Sequence, residues 1–581
     1  MDVLFINAQN ELRLKKEVNG TMLLATKLLE ADFDVDVLRF AQIPAFQKDY
    51  ETFISQIKER ILQAAPRCLS IYSMATEFHV MMRIAREIKT ARPETILVVG
   101  GPHTSGLGSE ILRCMEFIDY VCTGEGENTV VPFFTAVLRG SVALDTVPGL
   151  WYRVDGEIRT NHIEIPLCDL NTLPRWDKRL LLDIQEPDFG DDMYLMPIDA
   201  GRGCPYSCTF CCTSYFWRRM YRLKSPERIM ADICYYHDNF GINSFYFSHD
   251  AFTINQKLVG QVCDKIIESG MKIVWRCTSR VDCLSEELIL KMKQAGMNQI
   301  EVGIETGSAR MQKLIHKNLD LKKAVKTIAF LLEQNIKVSA FFMYGLPQET
   351  EQDINETLEM VFQLVDMGIH GFNMSFCQFA PITDMTQTYF DQLELSDKVK
   401  RLVEGVFGYP EEKKMMLEHK SLFPFRYHLP SKEREDYQYL DFFTDMYYRF
   451  PETVQDLRKC YKGDNLRFYW DMIRNNPDVF NGSYAHITER CKKDDLQIML
   501  NTTLSVDVPY IEQLRAMLRL SYDVREVARK GNGGVLLKTY DFDYSDFLRG
   551  LPMEEYSKGK SMLFLQNVNG KVKIKRMQLA E

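Results

Sequence analysis

Cys204-Pro205-Tyr206-Ser207-Cys208-Thr209-Phe210-Cys211 follows an apolar segment, residues 195–200, that is typical of a buried strand. The cysteines have the spacing CxxxCxxC, and thiolates are the usual ligands of iron–sulfur clusters. Three thiolates can hold three corners of a [4Fe-4S] cubane, which leaves the fourth iron open to a small molecule. The spacing therefore predicts an enzyme rather than a simple electron carrier. The alternative is a structural zinc site, although zinc usually takes four ligands and the sequence has no second CxxC pair.

Downstream of this motif, apolar strand-like segments alternate with segments of helical periodicity. Six β–α units of this kind predict a partial or complete α/β barrel, in which ligand sites form at the C-terminal ends of the strands. The cysteine motif follows the first strand, as this rule requires. The predicted strands span residues 195–200, 244–248, 273–277, 299–304, 337–343 and 371–379.

The helices between these strands have clear boundary signals. Ser225-Pro226 and Ser285 are typical helix starts, because a serine side chain can accept hydrogen bonds from the first free amides of a helix. Gly270, Gly296 and Gly368 are typical helix ends. These signals support the alternation of strand and helix through this part of the chain.

The first 140 residues show a second alternation of this type. Five β–α units predict a doubly wound, Rossmann-like parallel sheet with helices on both faces. In such open sheets a ligand binds beyond the carboxyl ends of the strands. The predicted strands span residues 3–7, 34–40, 68–74, 96–99 and 119–123.

The loops after three of these strands are rich in glycine and polar residues, which suits close approach of the backbone to a ligand. Two alternatives apply here: Glu125 and Glu127 can cap the following helix as acids at its N-terminus, and His103 can cap its own loop. We predict ligand contacts from Ser73, Thr76, Gly100, Gly101, Pro102, His103, Gly124, Glu125 and Gly126.

The chain is therefore predicted to be an α/β protein with four regions. Residues 141–192 form a connector, with a small hairpin at 151–159 that turns at Asp155-Gly156. The C-terminal region has a different, α+β character. It contains an aromatic helix at 432–450, strands at 535–541, 562–566 and 571–577, and a hairpin turn at Asn569-Gly570. The predicted boundaries are 1–140, 141–192, 193–385 and 386–581.

Composition limits the classes of function. The 581 residues carry a formal net charge of −9 and no long basic run, which argues against nucleic-acid binding. The N-terminus lacks the basic n-region and the cleavage site of a signal peptide, and no segment has the length and apolarity of a membrane span. Fifteen cysteines in such a chain suit a reducing compartment. We therefore expect a cytoplasmic protein.

Together these motifs resemble those of a known family. Residues 1–385 are similar to radical S-adenosylmethionine (SAM) enzymes that carry an N-terminal cobalamin-binding domain, with a methyltransferase-like arrangement. The resemblance rests on CxxxCxxC within the barrel pattern, and on Gly100-Gly101-Pro102-His103 followed by Thr123-Gly124-Glu125-Gly126-Glu127. The Asp-x-His-x-x-Gly signature of cobalamin mutases is absent, so no histidine is predicted as a lower axial cobalt ligand.

The resemblance implies three cofactors and their contacts. Cys204, Cys208 and Cys211 correspond to the ligands of the [4Fe-4S] cluster, and the strand-end loops of the first region to the cobalamin site. SAM is expected on the open iron. Its implied contacts are Ser248, Asp250, Thr278, Arg280 and Glu305, although Arg280 can instead form an ion pair at the barrel rim. The sequence identifies no catalytic acid or base.

The resemblance also implies a reaction. We expect methylation of an unactivated carbon of a biosynthetic intermediate, with methylcobalamin as methyl donor and a 5′-deoxyadenosyl radical to activate the carbon. A rearrangement, ring contraction or cyclisation without methyl transfer is the alternative. The expected partners are a small-molecule or peptide substrate and an electron donor such as flavodoxin or ferredoxin. Substrate choice is expected to depend on residues 386–581.

Overall fold

The chain folds around two sheets, the first mostly parallel and the second parallel, which are separated in the sequence by residues 161–195. The structure is a computed structural model, and residues 1–395 are described except for 9–18, 47, 162–166 and 182–194. Beyond residue 395 the described residues are 410–430, 437–440, 442–444, 458, 461, 464–478, 498, 500, 511–529, 535–540, 561–568 and 571–577.

The first sheet has seven strands in the order β2-β1-β3-β4-β5-β6-β7. The first five are parallel, which confirms the predicted doubly wound arrangement, and the last two are antiparallel. The strands are β1 Val3–Asn7, β2 Val35–Arg39, β3 Cys68–Tyr72, β4 Ile96–Gly100, β5 Tyr120–Cys122, β6 Leu150–Val154 and β7 Glu157–Thr160.

Helices cover both faces of this sheet because its strands are apolar on both sides. On β1, Val3 and Phe5 pack into one core, whereas Leu4 and Ile6 pack into the other. Helices α1 and α5 lie on the first face, and α2 and α3 on the second. The helices are α1 Asn19–Glu30, α2 Tyr50–Ala64, α3 Phe78–Ala91, α4 Gly108–Cys114 and α5 Val130–Phe134.

The predicted hairpin forms, and it does more than connect. Asp155 and Gly156 both have positive φ angles, 52° and 83°, as a two-residue hairpin turn requires. Strand β6 then pairs with β5, with Tyr152 opposite Tyr120, so the hairpin extends the first sheet. The pattern of residues 151–159 predicted the turn but gave no sign of this partner strand.

The second sheet contains six parallel strands in the order β15-β14-β13-β12-β11-β8. Its end strands do not pair with each other among the described residues, so the partial form of the predicted barrel is the one observed. A short ribbon of β9 and β10 lies beside it. The strands are β8 Met196–Asp199, β9 Gly201–Arg202, β10 Arg222–Leu223, β11 Ser244–Ser248, β12 Val274–Ser279, β13 Met297–Glu305, β14 Lys337–Tyr344 and β15 Gly371–Phe376.

The helix signals of this half are confirmed. Ser225 accepts a hydrogen bond from the amide of Arg228, and Ser285 from the amide of Leu288. Gly270 ends its helix in the left-handed conformation. The helices are α6 Thr213–Phe216, α7 Pro226–Phe240, α8 Gln256–Ser269, α9 Glu286–Gln294, α10 Ala309–Leu314, α11 Leu321–Glu333 and α12 Glu351–Asp366.

The described parts of the C-terminal region include a three-stranded antiparallel sheet, packed against a long helix. Val568 pairs with Lys571, as expected for a hairpin at 569–570, although those two residues lie outside the described ones. Most of the predicted helix at 432–450 also lies outside them. The elements are α13 Asp384–Tyr389, β16 Glu394–Leu395, α14 Pro410–Glu418, β17 Tyr427–His428, α15 Asn465–Arg474, α16 Ile511–Arg529, β18 Val535–Tyr540, β19 Ser561–Val568 and β20 Lys571–Met577.

Candidate functional site

A cavity of about 560 Å³ lies where the carboxyl ends of the two sheets face each other. The end of β3 and the loops after β4 and β5 of the first sheet form one wall, and the ends of β8, β11 and β12 of the second sheet form the other. Ligand sites in both fold types are expected at such strand ends. One ligand-sized space is therefore shared by the two halves of the chain.

The wall from the first sheet combines a glycine edge with an apolar interior. A Cβ atom at Gly101, where φ is +114°, would lie 2.7 Å from the carbonyl oxygen of Ser73. Only glycine fits this turn, and the backbone there is open to a ligand. The apolar interior lies between the sheet and helices α1 and α5, and its lining includes Phe5, Leu24, Ile71, Val98, Val130, Phe133 and Phe134.

The wall from the second sheet is polar. Ser248 and Asp250 come from the end of β11, and Thr278 from β12. Asp250 accepts a hydrogen bond of 2.8 Å from the amide of Gly203, which fixes the start of the cysteine loop. Burial raises the pKa of this carboxyl group despite that bond. Asp250 thus links the cavity wall to the cysteine motif.

A hydrogen-bonded chain runs along the inner face of the second sheet. The hydroxyl of Thr278 donates to Glu301 at 3.0 Å, so the hydroxyl of Tyr246, also at 3.0 Å, donates to Thr278. Tyr246 and Thr278 both line the cavity. Their hydroxyl protons are engaged within the protein, so these two oxygens can only accept hydrogen bonds from a ligand.

His249 is neutral in this wall. Its Nδ1 accepts from the amide of Ala251 at 2.9 Å, so Nε2 carries the proton and donates to the carbonyl of Arg222 at 3.2 Å. Burial lowers the pKa of the imidazole to about 4. Both nitrogens are therefore used in holding β10 and β11 together.

The structure brings together most of the predicted contacts, but not all of them. Arg280, Glu305 and the three cysteines lie outside the cavity lining, as do Ser73, Thr76 and His103. The predicted residues that line the cavity are Gly100, Gly101, Pro102, Gly124, Glu125, Gly126, Ser248, Asp250 and Thr278.

Thr76 and His103 instead contact the C-terminal region, and Ser73 is fully buried. The imidazole Nε2 of His103 lies 3.0 Å from the carbonyl oxygen of Leu422, and the guanidinium of Arg426 donates to the carbonyl of Thr76. His103 is 4% exposed and packs on Phe78. Its observed contacts thus anchor residues 420–427 rather than line the cavity.

A buried ion-pair network crosses between the two walls. Arg202 contacts Glu127 at 2.6 Å, Glu125 at 3.3 Å and Asp199 at 3.2 Å. Arg222 pairs with Glu125 as well. Burial raises the pKa of Glu125, but its hydrogen bond from Arg222 and the amide of Cys168 outweigh this effect, so its pKa lies below the usual range. Glu125 and Glu127 therefore form ion pairs across the interface instead of capping the following helix.

The three cysteines lie in one loop at the edge of this interface. Cys208 is buried, and Cys204 and Cys211 are half-buried. Burial raises the pKa of all three thiols, to about 11 for Cys204, where the charges of Cys208 and Cys211 add to the effect. Among the described residues no group of three His, Cys, Asp or Glu side chains forms a site for a single metal ion.

Arg280 and Glu305 flank the cysteine loop from the barrel side. The Nη1 atom of Arg280 lies 4.0 Å from the Sγ of Cys208. Glu305 has a φ of 71° and pairs with the buried Lys317 at 2.6 Å. Both sequence-derived residues are therefore near the cysteines, but each has a protein partner.

Two known protein families match the two halves of this site. The family model of the B12 binding domain matches residues 14–133, and that of the Radical SAM superfamily matches residues 198–361. The chain combines a B12-binding domain with a radical SAM domain. It therefore has the cofactors of a cobalamin-dependent radical SAM enzyme: a [4Fe-4S] cluster, SAM and cobalamin.

Two curated relatives each resemble more than half of the chain. An uncharacterised methyltransferase, PH0819, of Pyrococcus horikoshii is 27% identical over 53% of the chain and 67% of its own length. The anaerobic magnesium-protoporphyrin IX monomethyl ester cyclase of Rubrivivax gelatinosus is 25% identical over 59% of the chain and 62% of its own length. The chain thus matches about two thirds of each relative.

A solved structure supports the fold. The radical SAM methyltransferase TsrM from Kitasatospora setae superposes with a TM-score of 0.59 at 16% identity, over 76% of the chain and 88% of TsrM.

None of the helices in the described parts of the chain has the length and apolarity to cross a membrane.

The residues at the site fit these cofactors. In the B12-binding domain, Gly101 leaves open a position that a Cβ atom would fill. The apolar interior beside it can accept an uncharged ring system. The radical SAM domain offers three thiols in one loop, which suits three irons of a cluster. Its strand ends present carboxylate and hydroxyl groups to the same cavity, as a polar nucleoside ligand requires.

Sequence reasoning missed several residues of this site. Arg202 stands two positions before Cys204, and Tyr246 stands two before Ser248 on the same face of β11. Strand periodicity could have identified Tyr246. Trp217, whose place close after the cysteine motif does suggest a role near the site, also lines the cavity, and the guanidiniums of Arg202 and Arg222 approach it at 5.3 and 5.8 Å.

Proposed function

We propose that this cobalamin-dependent radical SAM enzyme methylates an unactivated carbon of a biosynthetic intermediate. The observation that carries the proposal is the single cavity lined by strand ends of both domains. A methyl carrier and a radical source must both reach one substrate carbon, and a shared cavity meets that requirement. The relative PH0819 is named a methyltransferase, which supports methyl transfer as the reaction.

When bound, the cluster and SAM supply a radical able to remove hydrogen, and cobalamin supplies the methyl group. Cys204, Cys208 and Cys211 would hold the cluster, and Ser248, Asp250 and Thr278 would contact SAM. On the opposite wall, the residues that would hold cobalamin are Gly100, Gly101, Pro102, Gly124, Glu125 and Gly126.

The chain's own contribution is to orient the two domains and to shield the space between them. Arg202 and Arg222 join the cysteine-bearing domain to Glu125 and Glu127 of the B12-binding loop. Trp217 and Phe216 add apolar surface to the cavity wall. A closed, fixed space keeps a reactive radical from water and from unwanted partners.

The wider organisation follows the same proposal. We assign residues 1–140 to cobalamin, 141–192 to the connection, 193–385 to radical chemistry and 386–581 to substrate choice. A flavodoxin or ferredoxin would supply the electron. A cytoplasmic location is supported by the free thiols of the described cysteines, because disulfides are rare in that compartment.

S-Adenosylhomocysteine formation tests the methyl-transfer step without knowledge of the substrate. The chain is loaded anaerobically with cobalamin and iron, reduced with titanium citrate and given SAM. We expect S-adenosylhomocysteine in an amount matching the bound cobalamin, because that compound remains when SAM gives up its methyl group. The matched control is protein reconstituted without cobalamin, which should form none.

The alternative is a rearrangement or cyclisation in which no methyl group moves, and the cyclase of Rubrivivax gelatinosus favours it. In that case the same assay would yield 5′-deoxyadenosine without S-adenosylhomocysteine. That result would contradict the methyltransferase proposal and support the alternative.

A further inference from the structure

Arg280 has an unusual place among the arginines of the radical SAM domain, because it faces a cluster cysteine. Its Nε and Nη2 atoms donate to the carboxylate of Asp282 at 3.0 and 2.8 Å, and Nη2 also donates to the carbonyl of Lys317 at 3.0 Å. Nη1 is directed to the Sγ of Cys208, 4.0 Å away. The guanidinium is thus fixed on one side and presented to sulfur on the other.

The cysteine loop itself completes this arrangement. The guanidinium carbon of Arg280 lies 3.8 Å from the ring centre of Tyr206, which stands between Cys204 and Cys208. The hydroxyl of Tyr206 lies 3.3 Å from the Sγ of Cys283. Cation and ring therefore pack face to face, which holds the charge against the loop that carries the cluster ligands.

We infer that Arg280 sets the reduction potential of the [4Fe-4S] cluster by donating a hydrogen bond to the thiolate of Cys208. The inference rests on the cluster of the proposed function. It replaces the sequence-based expectation that Arg280 contacts SAM, because Asp282 and the Lys317 carbonyl already occupy two of its three nitrogens.

The physical reason is the charge change on reduction. One electron passes from an external reductant to the oxidised cluster, no ligand bond breaks, and the cluster gains one negative charge. A buried positive charge and a hydrogen bond to a ligand sulfur both favour the more negative state, and so raise the potential. Arg280 is 6% exposed, so solvent screens this effect little.

The test is an anaerobic redox titration of the reconstituted full-length protein, followed by EPR of the reduced cluster. Arg280→Gln removes the charge, and Arg280→Lys retains it. Arg219→Gln is the matched control, because Arg219 follows the same cysteine motif but is exposed. At a fixed potential we expect Arg280→Gln to lower the ratio of reduced to oxidised cluster about tenfold, or about 59 mV for one electron. Arg280→Lys should shift less, and Arg219→Gln should not shift.

Asp282→Asn keeps the test decisive if Arg280→Gln fails to assemble a cluster. Removal of the partner carboxylate leaves the charge of Arg280 less compensated, so the potential should move in the opposite, positive direction. Unchanged potentials in every Arg280 and Asp282 variant that holds a cluster would overturn the inference alone. A wild-type chain that binds no iron would overturn the radical SAM assignment as well.

Discussion

Arg202 of the radical SAM domain and Glu127 of the B12-binding domain form an ion pair of 2.6 Å, with both side chains less than a tenth exposed. Arg202 stands two residues before the first cluster cysteine, and Glu127 follows the glycine loop that faces the cavity. The pair therefore ties the cluster loop to the predicted cobalamin loop. In the proposed function, it fixes the relation between the two cofactor sites.

Replacing Arg202 should destabilise the protein strongly. Arg202→Ala leaves Glu127 and Asp199 buried without this cation, and breaking a buried pair in this way costs about 3–5 kcal/mol. Denaturant unfolding measures the change. Arg179→Ala is the control, since Arg179 is 65% exposed in its pair with Asp177 and solvent screens such a pair, so its loss should be much smaller. Equal losses in the two variants would contradict the account.

Gly101→Ala should weaken cobalamin binding by at least about tenfold, or 1.4 kcal/mol. The added Cβ would meet the carbonyl oxygen of Ser73 at 2.7 Å, and the loop must shift. Equilibrium binding of cobalamin, followed by absorbance, measures the effect. Gly140→Ala is the control: it has the same cost of a positive φ, but the added Cβ meets no atom within 4 Å. The affinity of this variant for cobalamin should be unchanged.

Each of the three motif cysteines should be required for iron binding. Cys204→Ala, Cys208→Ala and Cys211→Ala remove one cluster ligand each, and we expect loss of most iron and of the reduced-cluster EPR signal. Cys212→Ala, at the adjacent position, should retain both. Zinc in place of iron in the wild-type protein would instead support the structural alternative for this motif.

His103 should make the protein less stable in mild acid. Burial lowers the pKa of its imidazole to about 3, from the 6.5 of an unperturbed histidine. The unfolded chain therefore binds a proton as pH falls below about 6.5 while the folded chain does not, and stability should decrease from there down to about pH 3. Above pH 6.5 His103 adds no pH dependence.

The measurement is the free energy of unfolding of wild type and His103→Gln between pH 7 and 5. The His103 contribution at pH 5 amounts to about 2 kcal/mol. The variant should lack this part of the pH dependence, while the similar contribution of His249, whose pKa is lowered to about 4, remains. Parallel curves for the two proteins would refute the prediction.

The local pattern of the sequence was enough to predict most strands and helix ends. Strands β11 and β20 coincide with the predicted segments 244–248 and 571–577. Alternating apolar residues bounded by turns define where such strands begin and end. Ser225 and Ser285 cap the helices that they were expected to start. Each of these features depends on residues that are neighbours in the chain.

The missed features depend on contacts between distant parts of the chain. Arg202 and Glu127 are separated by 75 positions, and His103 and Leu422 by 319. No periodicity connects such pairs, so the ion-pair network and the covering of His103 follow only from how the domains pack. For Arg280 the sequence predicted a ligand contact or an ion pair at the barrel rim, and the pair with Asp282 matches the second; its packing on Tyr206 beside Cys208 was not predicted.

The cofactor content of one preparation tests the central claim most directly. The full-length chain is reconstituted anaerobically with cobalamin, iron and sulfide, freed of unbound material and analysed for cobalt, iron and zinc. The account predicts about one cobalt and about four irons per chain, since one domain is built for each cofactor. Four irons without cobalt would contradict it, because the shared cavity would then lack the methyl carrier.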